Sequence, residues 1–319
     1  MQIWPVRLLV VQAIAGVVLG GAVGIMLAVV FSPLAALAGS PLVAWLYWRL
    51  STRRYRRRRK LTASPFPAHW RALLEKRIPY FRGLHSAERS RFENDVRIFL
   101  GEQRIYGIRG VEFDDETRVL IAAAAAMLSN GLQDWEWPNV RDIVVYPSAF
   151  DDEYRTDGHP DILGMVHSQG PILISGPDLE HGFFVSDDSN NVALHELAHV
   201  IDMADGYADG VPAALSWVAT APWIRVVADR LQQLREGRYG DALRDYAGTN
   251  ETELFAVAVE AFFEQPARLA EHDAELYAML RDYFNQDPAR ILSRAKESDR
   301  AGSPDATGAA RGTDDASVA

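Results

Sequence analysis

The run Val192-Ala-Leu-His195-Glu196-Leu-Ala-His199-Val-Ile-Asp202 sets two histidines four residues apart in an otherwise apolar segment. Positions i and i+4 share one face of a helix, so both imidazoles can reach a single cation. Glu196, beside the first histidine, can take a proton from a water held at an open metal position. Asn190 or Asn191 is placed to cap the helix, and the apolar pattern carries it to about Asp202. Asp202, seven residues after His195 on the same face, can orient a ligand histidine or simply end the helix at the surface. The segment therefore predicts a helix bearing a zinc site one ligand short.

The 319-residue chain has no cysteine, which excludes disulfides and thiolate ligands. The third ligand must then be a histidine or a carboxylate. Two candidates, Glu253 and Glu260, lie two turns apart on one face of a later apolar run, Glu251–Glu264. A carboxylate in such surroundings is costly unless it meets a cation or hydrogen-bond donors. With Asn250 as N-cap, Glu253 occupies the third helical position, where a glutamate closes a capping box. Glu260 suits a carboxylate bonded to a histidine ring or a backbone group. The residues by themselves leave the choice open.

Further out, Ala68–Lys76, a segment from Ser86 through Phe99, Glu116–Leu128 and Ala214–Glu236 carry helical signals, the second with a capping-box-like start. Val111-Glu-Phe, Ile143-Val-Val-Tyr-Pro and Ile172-Leu-Ile-Ser read as short strands. A polar, acidic stretch, Asp151–His167, separates the last two. The fold class is α+β: a mostly helical domain with a small sheet, over residues 62–293. Ile172–Ser175, some twenty residues before the motif helix, is expected either as an edge strand that accepts a substrate backbone or as an ordinary core strand. From about Glu297 the composition turns to Ala, Gly, Ser, Asp and Thr, so residues 294–319 read as a disordered tail.

The N-terminus differs in kind. Leu8–Phe31 is 24 residues without a charge, enough to span a hydrocarbon core of ~30 Å. Ser32-Pro33 breaks the pattern, and a second uncharged stretch, Leu34–Trp48, ends in Trp45, Tyr47 and Trp48. Residues 1–52 are thus expected to form a transmembrane helical hairpin, or one spanning helix with an interfacial segment. Residues 53–61 form a collar with seven positive charges. The positive-inside rule places that collar, and the domain behind it, on the cytoplasmic side of the inner membrane. Residues 1–60 hold nine Lys/Arg and no acid; the remainder carries 24 Lys/Arg against 43 Asp/Glu, a balance that argues against nucleic acid as a partner.

The motif helix, followed by Asp245-Tyr246-Ala through Glu253-Leu-Phe-Ala-Val-Ala-Val-Glu260-Ala-Phe-Phe, resembles the Mlc titration factor A family of zinc peptidases. Val145-Tyr-Pro-Ser-Ala-Phe150, Gly164-Met-Val-His167 and Gly170-Pro-Ile-Leu-Ile-Ser175 are also similar to that family. The likeness covers roughly residues 62–293. It implies a zincin-like, lethal-factor-like catalytic core with one Zn²⁺ held by His195, His199 and Glu253, and Glu196 as general base. It further implies that Tyr246 stands near the scissile carbonyl and that His167 approaches the metal as an additional ligand. The implied substrate is a peptide or protein, with endo- or aminopeptidase action left open. The family's name brings the alternative of a regulatory protein that keeps the site but sequesters a partner such as a transcriptional repressor. Against the family, the segment between His167 and Gly170 is short, and the membrane anchor is an addition.

Overall fold

In the computed structural model the described residues are 1–111, 114–132, 134–137, 140, 142–151, 156, 162–166, 170–185 and 188–301. They fall into two compact units, Met1–Phe66 and the chain from Pro67 onward.

The first unit is helical throughout. Helix α1 (Val6–Val30) is followed by Ser32, whose hydroxyl accepts the Ala35 N–H at 3.2 Å and starts helix α2 (Pro33–Ser51). The two helices pack closely because small residues line the contact. A Cβ on Gly20 would come within 2.6 Å of the Ser40 carbonyl oxygen, and one on Gly24 would overlap the Ser40 hydroxyl. Inside this apolar pair the Tyr47 hydroxyl donates to Gln12 Oε1 at 2.7 Å. The two helices pack against each other as a helical pair; among the described residues α1 alone is long and apolar enough, by length and composition, to cross a membrane. Helix α3 (Arg53–Leu61) carries the basic collar, and its buried Arg58 donates to the Gln2 carbonyl at 2.7 Å.

The second unit begins with α4 (Ala68–Arg77), the single turn α5 (Pro79–Arg82) and α6 (Ser86–Glu102). Ser86 is the first helical residue of α6 rather than its cap; Glu88 reaches back to accept the His85 N–H at 2.9 Å. Strand β1 (Arg104–Gly107) leads to the alanine-rich α7 (Asp115–Ser129), capped by Asp114 and buried along nearly its whole length. The expected strand at Val111-Glu-Phe rests on residues outside those described. Strands β2 (Asp142–Tyr146), β3 (Gly164–Val166) and β4 (Ile172–Ser175) complete a sheet ordered β1-β2-β4-β3. β1, β2 and β4 run parallel, and β3 is antiparallel to β4. Ile172–Ser175 is thus an inner strand, correcting the edge-strand expectation. The edge belongs to β3, in the polar stretch where no strand was foreseen.

Helices α8 (Gly176–Phe184), α9 (Val192–Asp202) and α10 (Trp217–Arg235) follow, then α11 (Glu251–Glu264), α12 (Pro266–His272), α13 (Ala274–Phe284) and α14 (Pro288–Ala301). Every residue of α9 is buried, as expected of a helix apolar on all sides. It packs against α7, α8, α11 and the β3–β4 side of the sheet. α14 continues to Ala301, so residues 294–301 are helical rather than part of a disordered tail; residues 302–319 lie outside those described.

Candidate metal centre

Two asparagine caps fix the helices that carry the site. Asn191 Oδ1 accepts the Leu194 N–H at 3.2 Å and starts α9, while Asn250 Oδ1 accepts the Glu253 N–H at 2.9 Å and starts α11. The second cap is half a capping box: instead of turning back to Asn250, the Glu253 carboxylate points at the histidines of α9. Glu253 Oε2 lies 3.1 Å from His195 Nε2 and 3.6 Å from His199 Nε2, and the two Nε2 atoms are 3.1 Å apart. One donor atom from each residue lies within 4.8 Å of the others, so the three can hold a metal ion. The donor set fits a zinc-type ion: nitrogen and oxygen ligands ~2.0–2.1 Å from a tetrahedral centre are ~3.3 Å from each other. Without a cation, two imidazole nitrogens facing one another have at most one proton to share, which makes this grouping hard to explain as packing alone.

The ring of His195 is held from behind as well. Its Nδ1 is 2.8 Å from Glu260 Oε1, a fully buried carboxylate. The other oxygen of Glu260 accepts the Asn191 N–H at 2.6 Å, and Arg244 donates to the same carboxylate. Glu260 therefore sits at the N-terminus of α9, where a negative charge complements the helix dipole, and fixes the ring through its Nδ1. Burial would lower the His195 pKa, but the bonds to Glu253 and Glu260 outweigh it and raise it to about 10. Burial would raise that of Glu253, yet the two histidines hold it well below the usual carboxylate range.

Glu196 is 3% exposed, and its Oε2 has no hydrogen-bond partner among the described residues. Burial pushes its pKa up, and the histidines pull it partly back. Strand β3 passes directly over it: a Cβ on Gly164 would collide with the Glu196 carboxylate. Only glycine permits this approach of the sheet edge to the acid. Tyr246, on the turn Asp245–Gly248 that precedes the Asn250 cap, is half exposed, with its ring 6.0 Å from that of His195. Partial burial, then the charges of Glu253 and Glu196, push its hydroxyl up to about 12, so it stays protonated and able to donate.

Asp202 is brought close but not into contact. It is fully buried and makes no hydrogen bond to either histidine; its nearest polar neighbours are the Gly210 backbone and Thr252. Burial pushes its pKa up to about 6 from 3.8. A raised carboxyl pKa means the folded state favours the proton, so stability falls as pH rises from about 4 to about 6 and the loss is complete above that. Asp202→Asn is accordingly expected to gain on the wild type by up to roughly 3 kcal/mol across that interval. Thermal unfolding of metal-free protein at pH 4.5 and 7.5 checks this; a difference independent of pH would contradict it. His167 lies outside the described residues.

The sequence profile of the family described as glucose-regulated metallo-peptidase M90 matches residues 52–285. The chain belongs to this family. An uncharacterized protein, slr2042, from Synechocystis sp. is 31% identical over 249 residues, covering 73% of this chain and 86% of its own length. Proteins named Mlc titration factor A are 28% identical in Cronobacter sakazakii, over 68% of this chain and 85% of that protein, and 28% in Escherichia fergusonii, over 63% and 80%. Membership implies a metallopeptidase-like domain and a metal, consistent with the His-His-Glu grouping. Four roles were not foreseen: Arg244 and the Asn191 N–H holding Glu260, Glu264 accepting from Asn191 Nδ2 at 3.0 Å, and the close pass of Gly164 over Glu196. The signal available for Arg244 was a cation close before a turn that leads into a helix with two inward carboxylates.

Proposed function

We propose that this chain is a membrane-anchored zinc peptidase that hydrolyses peptide bonds of a cytoplasmic peptide or protein. The observation that carries the reading is the convergence of His195, His199 and Glu253 donor atoms beside the buried Glu196, whose Oε2 has no hydrogen-bond partner among the described residues. His195, His199 and Glu253 would hold the ion, with Glu260 orienting His195. Zinc bound there supplies Lewis acidity, bringing the pKa of water towards ~7 and polarising the substrate carbonyl.

Glu196 takes the proton of the water that adds to the carbonyl carbon, and returns it to the amine as the C–N bond breaks. Tyr246, protonated over the working range, donates a hydrogen bond to the carbonyl oxygen as negative charge develops on it. The outer edge of β3, unpaired among the described residues, offers backbone groups to an extended substrate, and the absence of a side chain at Gly164 brings that strand next to Glu196. Helix α1 supplies the anchor, and the α3 collar sets the orientation by the positive-inside rule.

The test is metal removal. Chelation of the full chain should abolish cleavage of an unstructured peptide by at least about 100-fold, and added zinc should restore it. Cleavage that survives chelation would sink the proposal. A second reading, supported by the relatives named Mlc titration factor A, is a protein that binds a regulatory partner. It predicts zinc binding without turnover on any peptide.

A further inference from the structure

A second cavity, of about 460 Å³, lies among α5, the end of α8, the start of α9 and α14, and plays no part in the chemistry above. Its apolar wall includes Phe183, Phe184, Met127 and Leu292. Phe184 is 75% exposed, an unusual position for a phenylalanine, and the Arg77 guanidinium lies over its ring. Three cations, Arg77, Arg82 and Lys296, line the cavity together with two acidic residues, Asp299 and Glu264. Arg77 is paired with Glu116 and Arg82 with Asp299, whereas Lys296 makes no ion pair among the described residues. Arg82 Nε is buried with no hydrogen-bond partner among the described residues.

Glu264 closes the inner end. It is 7% exposed; Oε1 accepts from Asn191, while Oε2 is buried with no hydrogen-bond partner among the described residues. Burial, and after it the neighbouring Glu260, push its pKa well above the usual range, which favours the protonated form and with it a hydrogen-bond donor. The cavity thus combines an apolar wall, a hydrogen-bond donor at the buried end and an uncompensated ammonium at the rim. It does so on a domain whose balance is otherwise strongly acidic.

We propose that this cavity binds a small amphipathic organic monoanion. The ligand has an apolar body against Phe183 and Phe184, a carboxylate at Lys296, and a carbonyl-type acceptor at Glu264. A volume of this size suits a small organic molecule rather than a folded segment. A cationic ligand would face Lys296 and both arginines, and a wholly apolar one would leave the Glu264 donor buried and unmatched. None of the metal-centre donors His195, His199 and Glu253 lines the cavity, although Asn191 and Glu264, which do, belong to the network around Glu260; binding here does not depend on the peptidase reading.

The test uses the full chain in lipid nanodiscs, metal-free, with empty nanodiscs as the blank, titrated by calorimetry with 4-(4-acetylphenyl)butyrate. Saturable binding is expected, about tenfold tighter than that of the corresponding butylamine and about fivefold tighter than that of the 4-ethylphenyl analogue. Lys296→Glu, a surface change, should erase the preference for the carboxylate. Glu264→Leu should erase the preference for the ketone and keep the preference for charge. Absence of saturable binding, equal affinity for acid and amine, or an unchanged acid preference in Lys296→Glu would each overturn the proposal.

Discussion

Glu196→Gln is expected to retain the metal of the wild-type protein and to lower the turnover of peptide hydrolysis by about 10³-fold. The side chain is buried between α9 and the Gly164 edge of β3, with one oxygen unpartnered, so an amide of the same shape fits with little rearrangement. What the amide cannot do is accept a proton. General base catalysis contributes ~10²–10⁴-fold, which sets the size of the loss. The histidines and Glu253 are untouched, so metal analysis by mass spectrometry should read the same stoichiometry in both proteins. Wild-type turnover in the glutamine variant would remove Glu196 from the chemistry. Lost metal would mean that it contributes to binding instead.

The second large effect separates the two glutamates of α11. Glu253→Ala removes a donor atom from the His-His-Glu group and is expected to leave the protein without stoichiometric zinc after dialysis. Glu260→Gln keeps all three donors and removes the charge behind His195, an arrangement whose loss typically weakens metal binding ~10–100-fold. It should also lower thermal stability, because the same carboxylate accepts the first N–H of the α9 cap and receives Arg244. The pair is read by metal content at a fixed free-zinc concentration together with unfolding temperature. Zinc lost in the Glu260 variant and kept in the Glu253 variant would reverse the ligand assignment.

Local patterns made much of this legible. Helices α7, α9 and α11 declare themselves because caps and apolar periodicity agree: Asp114, Asn191 and Asn250 each hold an N–H three residues on. His195, Glu196 and His199 follow from spacing within one helix. Choosing between Glu253 and Glu260 required the fold, because both lie on one face and only the crossing of α9 and α11 decides which meets Nε2 and which meets Nδ1 of the same ring. Strand β3 was missed because three residues in a polar stretch show no alternation, and its pairing with β4 is non-local. The sheet order followed from neither strand alone, so Ile172–Ser175 was open to being taken for an edge. Asp202 shares the helix face of His195, yet its carboxylate turns to the Gly210 loop, a tertiary neighbour that helical spacing does not reveal.

The His195 ring, with a carboxylate at each nitrogen, has a consequence for how the protein is supplied with metal. Those two carboxylates, Glu253 and Glu260, favour the protonated form of the ring. An incoming dication must displace this proton, so loading acidifies the medium and is hindered as the surroundings become more acidic.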